Sequence, residues 1–464
     1  MTRTAALAQS QSFFIDGAFA QELERRVAYR TESPETAQRP ELYRYLRDEL
    51  TPSLEILGFT CTIFDSPLPD GCPFLVAERH ESDDCPTVMS YGHGDVVRGY
   101  DDQWSAGRNP WQLSIEGDRW YGRGTADNKG QHTINLAALR SVLDARGSLG
   151  FNAVFLFETG EECGSPGLRQ FCETHRDRFI ADVFIASDGP RMQADTPTVF
   201  MGSRGALNFT LRVDLRDGGH HSGNWGGLLS NPGVILAHAL TSMVSATGEM
   251  LVDGWKAAPM SGSVQQAISR LSVGGTEGDP EIDPDWGEPG LTPEERVFGT
   301  NTFEVLAFRT GNPDNPVNAI PPKAQATCHL RFVAGTNAQD LLPALRRHLD
   351  QNGFEAVAIE AEGTPMNATR LDPAHPWAQW VIASIGHTSG KEVAVLPNLG
   401  GSLPNDVFAD VLGLPTIWVP HSYAGCSQHA PNEHALGSIC EEALQIMTGL
   451  WWDLGLGETP PSLR

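Results

Sequence analysis

The sequence predicts an α/β protein in which a mixed, largely parallel sheet is flanked by helices and a smaller α+β domain is inserted. Three observations predict it. Short apolar runs of strand length alternate with helical stretches at both ends of the chain. The middle of the chain changes to longer strands that alternate apolar and polar residues. Several of the apolar runs end directly in Gly, Asp or His clusters.

Helical periodicity with a charged face covers residues 13–29 and 41–57. The strand candidates are FLVA at Phe74, TVMSY at Thr87, AVFLF at Ala153, DVFIAS at Asp182 and TIWV at Thr416. Helices are expected over Lys129–Arg146 and 167–179. After Phe200 the pattern shifts. Residues 207–215, 302–308, 324–333 and 356–360 read as strands, with helices over 231–247 and Ala338–Gln351. Residues 274–295, rich in Gly, Pro and acid, read as an irregular exposed insertion. The α/β pattern resumes near Pro373. The expected organisation is a catalytic domain in two parts, 1–200 and 373–464, around an inserted domain at 201–372. No internal repeat is present.

With 464 residues, 40% of them hydrophobic, two domain cores are affordable. The formal net charge of −25 repels nucleic acid and anionic membranes, so neither is an expected partner. Eight cysteines without a C-x-x-C pair read as reduced thiols in a chain this long. The polar start of the chain lacks a signal-peptide core, and no apolar run approaches the ~20 residues of a membrane span. A cytoplasmic protein is expected.

The chemistry sits at the ends of the apolar runs. TVMSY leads into Gly92-His93-Gly94-Asp95, AVFLF into Glu158-Thr159-Gly160-Glu161-Glu162, and DVFIAS into Asp188-Gly189. Ligands of open α/β sheets bind at the carboxyl ends of strands, so the three clusters can converge. Asp127 closes a Gly-rich turn at the start of the 129–146 helix, where the helix field favours a negative charge. His429 lies after TIWVP. Each motif alone is an ordinary turn or surface pair; their shared placement makes one metal site of His93, Asp127, Glu162, Asp188 and His429. Two imidazoles and three carboxylates suit zinc, with manganese or cobalt as alternatives. Five ligands exceed what one ion needs, whereas two ions sharing a carboxylate would use them all.

The motifs GHGDVV at Gly92, GRGTADNKG at Gly122, ETGEECGSPGL at Glu158, SDG at Ser187, HSGNWGG at His221, NAIPPKA at Asn318, LRF at Leu330, GGSLP at Gly400 and HAPNEH at His429 run in one order over nearly the whole chain. In this the chain resembles the M20 zinc peptidases, which include carnosinase-type dipeptidases, carboxypeptidase G-type enzymes and acetylornithine and succinyl-diaminopimelate deacylases. The resemblance implies two zinc ions per subunit, one on His93 and Asp188, the other on Glu162 and His429, with Asp127 bridging. It implies that Asp95 orients His93 and that Glu161 is the general base on the bridging water. It also implies a cis peptide bond after Asp127. In the inserted domain, His221 would stabilise the oxyanion in the partner subunit's site of a homodimer, with the following Ser-Gly selecting it over His220. Asn318, Arg331 and the loop Gly400, Gly401 and Ser402 would bind substrate. That domain would act as a lid and dimerisation surface, closing His221 and Arg331 over the substrate.

Glu162 is followed by Cys-Gly-Ser-Pro-Gly-Leu, similar to the dipeptidase branch. The expected activity is hydrolysis of amide bonds in small peptides with a free carboxylate. The alternatives are an N-acyl amino acid deacylase and, from another class, a catalytically silent metal-stabilised binding protein. Glu161 argues against the last, since a silent site has no use for a proton acceptor.

Overall fold

The computed structural model describes residues 2–105, 107–275 and 280–460. By its internal contacts the chain divides into two compact units. One comprises Met1–Met201, Leu371–Leu396 and Pro404–Arg464; the other comprises Gly202–Arg370 and Pro397–Leu403.

The first unit is built on an eight-stranded sheet. Its order is Thr60–Phe64, Phe74–Arg79, Asn152–Glu158, Thr87–His93, Val183–Ala186, Thr416–Trp418, Thr198–Phe200 and Ala394–Leu396. The first two pairings are antiparallel. The central strands from Asn152–Glu158 to Thr416–Trp418 run parallel. Strands of this kind are covered on both faces, which is why they read as continuous apolar runs. Every residue of Asn152–Glu158 is buried. Its Phe155 and Phe157 join a core with the helices Arg3–Ile15, Lys129–Arg146, Pro376–Ser389 and Gly437–Leu454. On the opposite face Tyr91, Phe184 and Trp418 pack their rings around Phe408.

The helix over Lys129–Arg146 has the limits expected from sequence, and Gly147 ends it with φ of 80°. The 13–29 stretch forms two helices rather than one, Arg3–Ile15 and Ala18–Val27, because Gly17 takes a left-handed conformation (φ 79°). The 41–57 stretch runs from Arg39 to Glu55, with a π-helical turn at Tyr45–Leu50. Pro52 has no N–H to donate, and the Leu46 carbonyl of this turn accepts from both the N–H and the Oγ1 (2.8 Å) of Thr51.

The second unit holds a four-stranded antiparallel sheet in the order Thr302–Thr310, Lys323–Phe332, Gly205–Asp214, Ala358–Met366. The helices Pro232–Met243 and Ala338–Gln351 belong to this unit, and residues of both share a core with Phe209, Trp255, Phe303 and Leu330. Along Lys323–Phe332 burial alternates strictly, so His329 and Arg331 face away from that core. The irregular stretch expected at 274–295 is only partly so. Residues 276–279 lie outside the described residues, and a helix, Pro293–Phe298, begins within the stretch. Thr292 and Glu295 form a reciprocal capping box, with Pro293 at the first helical position. All eight cysteines are unpaired. Among the described residues no helix is long and apolar enough to cross a membrane.

Gly130 is the second residue of the 129–146 helix, where alanine ordinarily stabilises by ~0.5–1 kcal/mol. A Cβ there would lie 1.9 Å from the carbonyl oxygen of Thr125. Gly130→Ala is therefore expected to lower the melting temperature, at a cost of about 1–3 kcal/mol. A raised melting temperature would contradict the packing of this turn.

Candidate metal centre

The parallel register brings the chemical residues to one edge of the sheet. His93 is the last residue of its strand and pairs in register with Glu158, the last residue of the neighbouring strand. Glu161 and Glu162 follow in the 3₁₀ turn Glu161–Cys163, and Asp188 follows Val183–Ala186. Asp127 precedes the 129–146 helix, and its peptide bond to Asn128 is cis, as the family resemblance implies. His429 sits on a loop with φ of 60°.

The five side chains meet in two triads. Ligand atoms of His93, Asp127 and Asp188 all lie within 4.8 Å of one another, and so do those of Asp127, Glu162 and His429. Asp127 is common to both. Its Oδ1 is 2.9 Å from His93 Nε2, and its Oδ2 is 3.0 Å from His429 Nε2. Glu162 Oε2 is 3.0 Å from the same His429 nitrogen. Asp188 Oδ2 is buried, lies 3.7 Å from His93 Nε2 and accepts no hydrogen bond.

Electrostatics describe an acid-rich cluster short of cations. Burial pushes the Asp188 carboxyl up to about 6, with the Asp127 charge adding to the rise. Burial and Asp127 likewise push Glu162 up to about 7. Burial raises Glu161 well above the usual carboxylate range; His93 opposes this, and Asp188, Glu162 and Asp127 add to it. The hydrogen bonds to Asp127 and Glu162 raise His429 to about 11. Burial alone would lower His93, but its bonds to Asp127 and Asp95 raise it well above the ordinary imidazole value. Burial opposes ionisation of Asp127, and the two imidazoles override it and hold its carboxyl below the usual range. Divalent ions would supply the missing positive charge and let both imidazoles serve as neutral ligands. The buried Asp188 oxygen without a hydrogen bond and the His/carboxylate donor set both fit such ions.

Asp95 is fully buried, and its carboxylate accepts from the N–H groups of Glu161 (3.3 Å) and Glu162 (3.1 Å). The nearer contact of His93 Nδ1 is the backbone oxygen of Asp95 at 3.1 Å; the carboxylate oxygen is at 3.4 Å. Among the described residues, no hydrogen bond ties down the Glu161 carboxylate.

The other candidates fall in the second unit, in two groups. His221 pairs with Ala319 across a short antiparallel bridge, and Ser222 N–H donates to the carbonyl of Asn318 (2.9 Å). The two motifs, distant in sequence, are thus neighbours. The His220 ring lies edge-on to Trp225, while His221 is exposed. Arg331 Nη1 donates to Ser402 Oγ (2.8 Å), joining the arginine to the Gly400, Gly401 and Ser402 loop.

Sequence reasoning missed several residues that hold the centre. Glu433 Oε1 accepts from the N–H groups of Gly124 (3.0 Å), Ala126 (3.0 Å) and Asp127 (3.1 Å), while its Oε2 pairs with Arg123 at 2.7 Å. Gln428 Nε2 donates to Asp127 Oδ2 (2.5 Å). Asn128 Nδ2 donates to the carbonyl of Ser187, and its Oδ1 faces His132 Nδ1, whose other nitrogen is 2.7 Å from the Tyr45 hydroxyl. Glu433 and Arg123 both lie inside motifs noted for their neighbours. An acid four residues after a candidate ligand, with an arginine in the facing Gly-rich turn, was the available signal.

Two outcomes are expected. Zinc added to chelated protein should raise the melting temperature, by about 2.7 kcal/mol of stability per site at a hundredfold excess over Kd. Asp127→Asn should abolish that rise, and a melting curve indifferent to chelation and reloading would count against a metal centre. Glu433→Gln should weaken zinc binding by about 10–100-fold in a competition titration, as loss of a ligand-orienting group does elsewhere. Wild-type affinity in this variant would remove Glu433 from the support of the site.

Residues 89–453 match the model of peptidase family M20/M25/M40. The chain is 27% identical over 369 residues to a cysteinylglycine-S-conjugate dipeptidase of Corynebacterium striatum, covering 76% of this chain and 77% of that one. It is 33% identical over 251 residues to the human Beta-Ala-His dipeptidase; that match spans 51% of this chain and 48% of the relative, about half of each. The fold is shared with an M20 family metallo-carboxypeptidase, Sso-CP2, of Sulfolobus solfataricus (TM-score 0.78, 22% identity, 94% of this chain and 99% of that one). It is also shared with human carnosine dipeptidase 1 (TM-score 0.76, 21% identity, 97% and 99%). With the family match spanning most of its length, the chain belongs to peptidase family M20/M25/M40 and is a hydrolase of peptide bonds.

Proposed function

We propose that this chain is a dinuclear zinc dipeptidase acting on small peptides with a free carboxylate. One observation carries the reading: two ligand triads share Asp127, with an untied carboxylate, Glu161, beside them. His93 and Asp188 would hold one ion, Glu162 and His429 the other, and Asp127 both. Manganese or cobalt could substitute on the same donors. When bound, the ions would polarise the scissile carbonyl and lower the pKa of water to ~7.

The residues of the chain divide the remaining work. Glu161 accepts a proton from the attacking water as its oxygen bonds to the carbonyl carbon. Glu161 then returns that proton to the leaving amine as the C–N bond breaks. Asp95 holds the Glu161–Glu162 turn through its two backbone N–H groups. His221 donates a hydrogen bond to the oxyanion. Asn318 and the Gly400, Gly401 and Ser402 loop bind the substrate, and Arg331 grips its carboxylate with a planar, bidentate donor. The dipeptidase names of the relatives and the sequence following Glu162 favour dipeptides over N-acyl amino acids. The family resemblance and the unpaired thiols support a homodimer in the cytoplasm.

Glu161→Gln is expected to lower kcat by about 10²–10⁴-fold while zinc content stays that of the wild type. Intact turnover in this variant would refute the assigned base. The wild-type enzyme should cleave members of a dipeptide panel in preference to N-acetyl and N-succinyl amino acids. Deacylation without dipeptide turnover would reverse the substrate assignment.

A further inference from the structure

In the second unit the guanidinium groups of Arg204 and Arg331 lie close together with no anion between them among the described residues. Arg204 is 8% exposed and immediately precedes the strand Gly205–Asp214. Gly205 pairs with Phe332, so Arg204 lies at the same end of the sheet as Arg331. Arg204 Nε donates to the carbonyl of Gly400 (2.7 Å), and its Nη1 donates to Thr302 Oγ1 (3.2 Å). Thr302 is the cross-strand partner of Arg331. Ser402 Oγ accepts from Arg331 and donates to the backbone oxygen of Arg204 (2.7 Å). The Gly400–Ser402 loop is thus clasped by both arginines.

All of these partners are neutral, and no carboxylate among the described residues pairs with either guanidinium. A buried cation with only neutral partners is costly, and a second cation beside it adds to the cost. Burial and the Arg331 charge lower the Arg204 guanidinium to about 10. Arg204 also lines a cavity of about 340 Å³, while Arg331 lies outside its lining. Glu304 lines the same cavity, but burial alone raises its carboxyl and no cation pulls it back.

We propose that Arg204 is a second cation of the substrate-carboxylate site, binding the same terminal carboxylate as Arg331. This rests on the role given to Arg331 above. The rival role for Arg204 is mechanical, holding the Gly400–Ser402 loop in place whatever the substrate carries.

The two roles separate on substrates that differ only in charge. The zinc-loaded enzyme is assayed on the best-cleaved dipeptide of the panel above and on its C-terminal amide. Wild type should prefer the acid. Arg204→Met should lower kcat/KM for the acid by about 10–100-fold more than for the amide, mainly through KM, so that the preference collapses. Arg204→Lys, which keeps the charge without the fork, should retain part of the preference, and it reads the same ratio if the Met variant fails to fold. Equal losses on acid and amide would overturn the proposal and leave the mechanical role. A preference lost in Arg331→Met and kept in Arg204→Met would overturn it while sparing the role of Arg331. A wild type indifferent to amidation would overturn both.

Discussion

The Glu433 carboxylate is the constraint on which the centre depends. Gly124, Ala126 and Asp127 lie on a turn whose N–H groups point inward and have no strand or helix to pair with. One buried carboxylate satisfies all three and is itself neutralised by Arg123. The same residue lies four positions after His429. One side chain therefore ties the loop carrying the shared aspartate to the loop carrying the last ligand, more than 300 residues away in sequence. Loss of one partner of such a buried pair leaves the other charged and unpaired, at about 3–5 kcal/mol.

Around that tie the electrostatics are deliberately unbalanced. Five carboxylates, those of Asp95, Asp127, Glu161, Glu162 and Asp188, surround two imidazoles. Asp95 is occupied by backbone N–H groups, and Asp127 by both imidazoles. Asp188 and Glu162 are pushed towards protonation by burial and the Asp127 charge, and Glu161 by burial and the charges of Asp188, Glu162 and Asp127. The same crowding that asks for divalent ions also separates two adjacent glutamates. Glu162 reaches His429, while Glu161 keeps its carboxylate untied. One 3₁₀ turn thus presents a ligand and a proton acceptor side by side.

The second unit follows a different rule. Its sheet is antiparallel, and along Lys323–Phe332 burial alternates strictly, so the polar residues of that strand fall on the face away from the core. Arg331 reaches that face by parity of position. The 397–403 segment, expected from sequence in the last part of the catalytic domain, groups with this unit because Arg204 and Ser402 hold it there.

Much of this was legible in the sequence for local reasons. The central parallel strands announce themselves because both faces must be apolar. The helices Lys129–Arg146 and Ala338–Gln351 show their limits because Gly147 and Asn337 cap them. The candidate ligands stand out because His, Asp and Glu are unusual at the ends of such strands. Three-residue strands such as Ala394–Leu396 and Thr198–Phe200 carry too little periodicity to read, and the break at Gly17 is a single dihedral angle. The tertiary structure alone decided which polar atoms share a space. Nothing local distinguishes Asn128 or Arg204 from ordinary turn residues, and only its spacing from His429 marks Glu433. Their importance comes from partners as far as about 300 residues away, and only the folded chain brings those partners within a hydrogen bond's length.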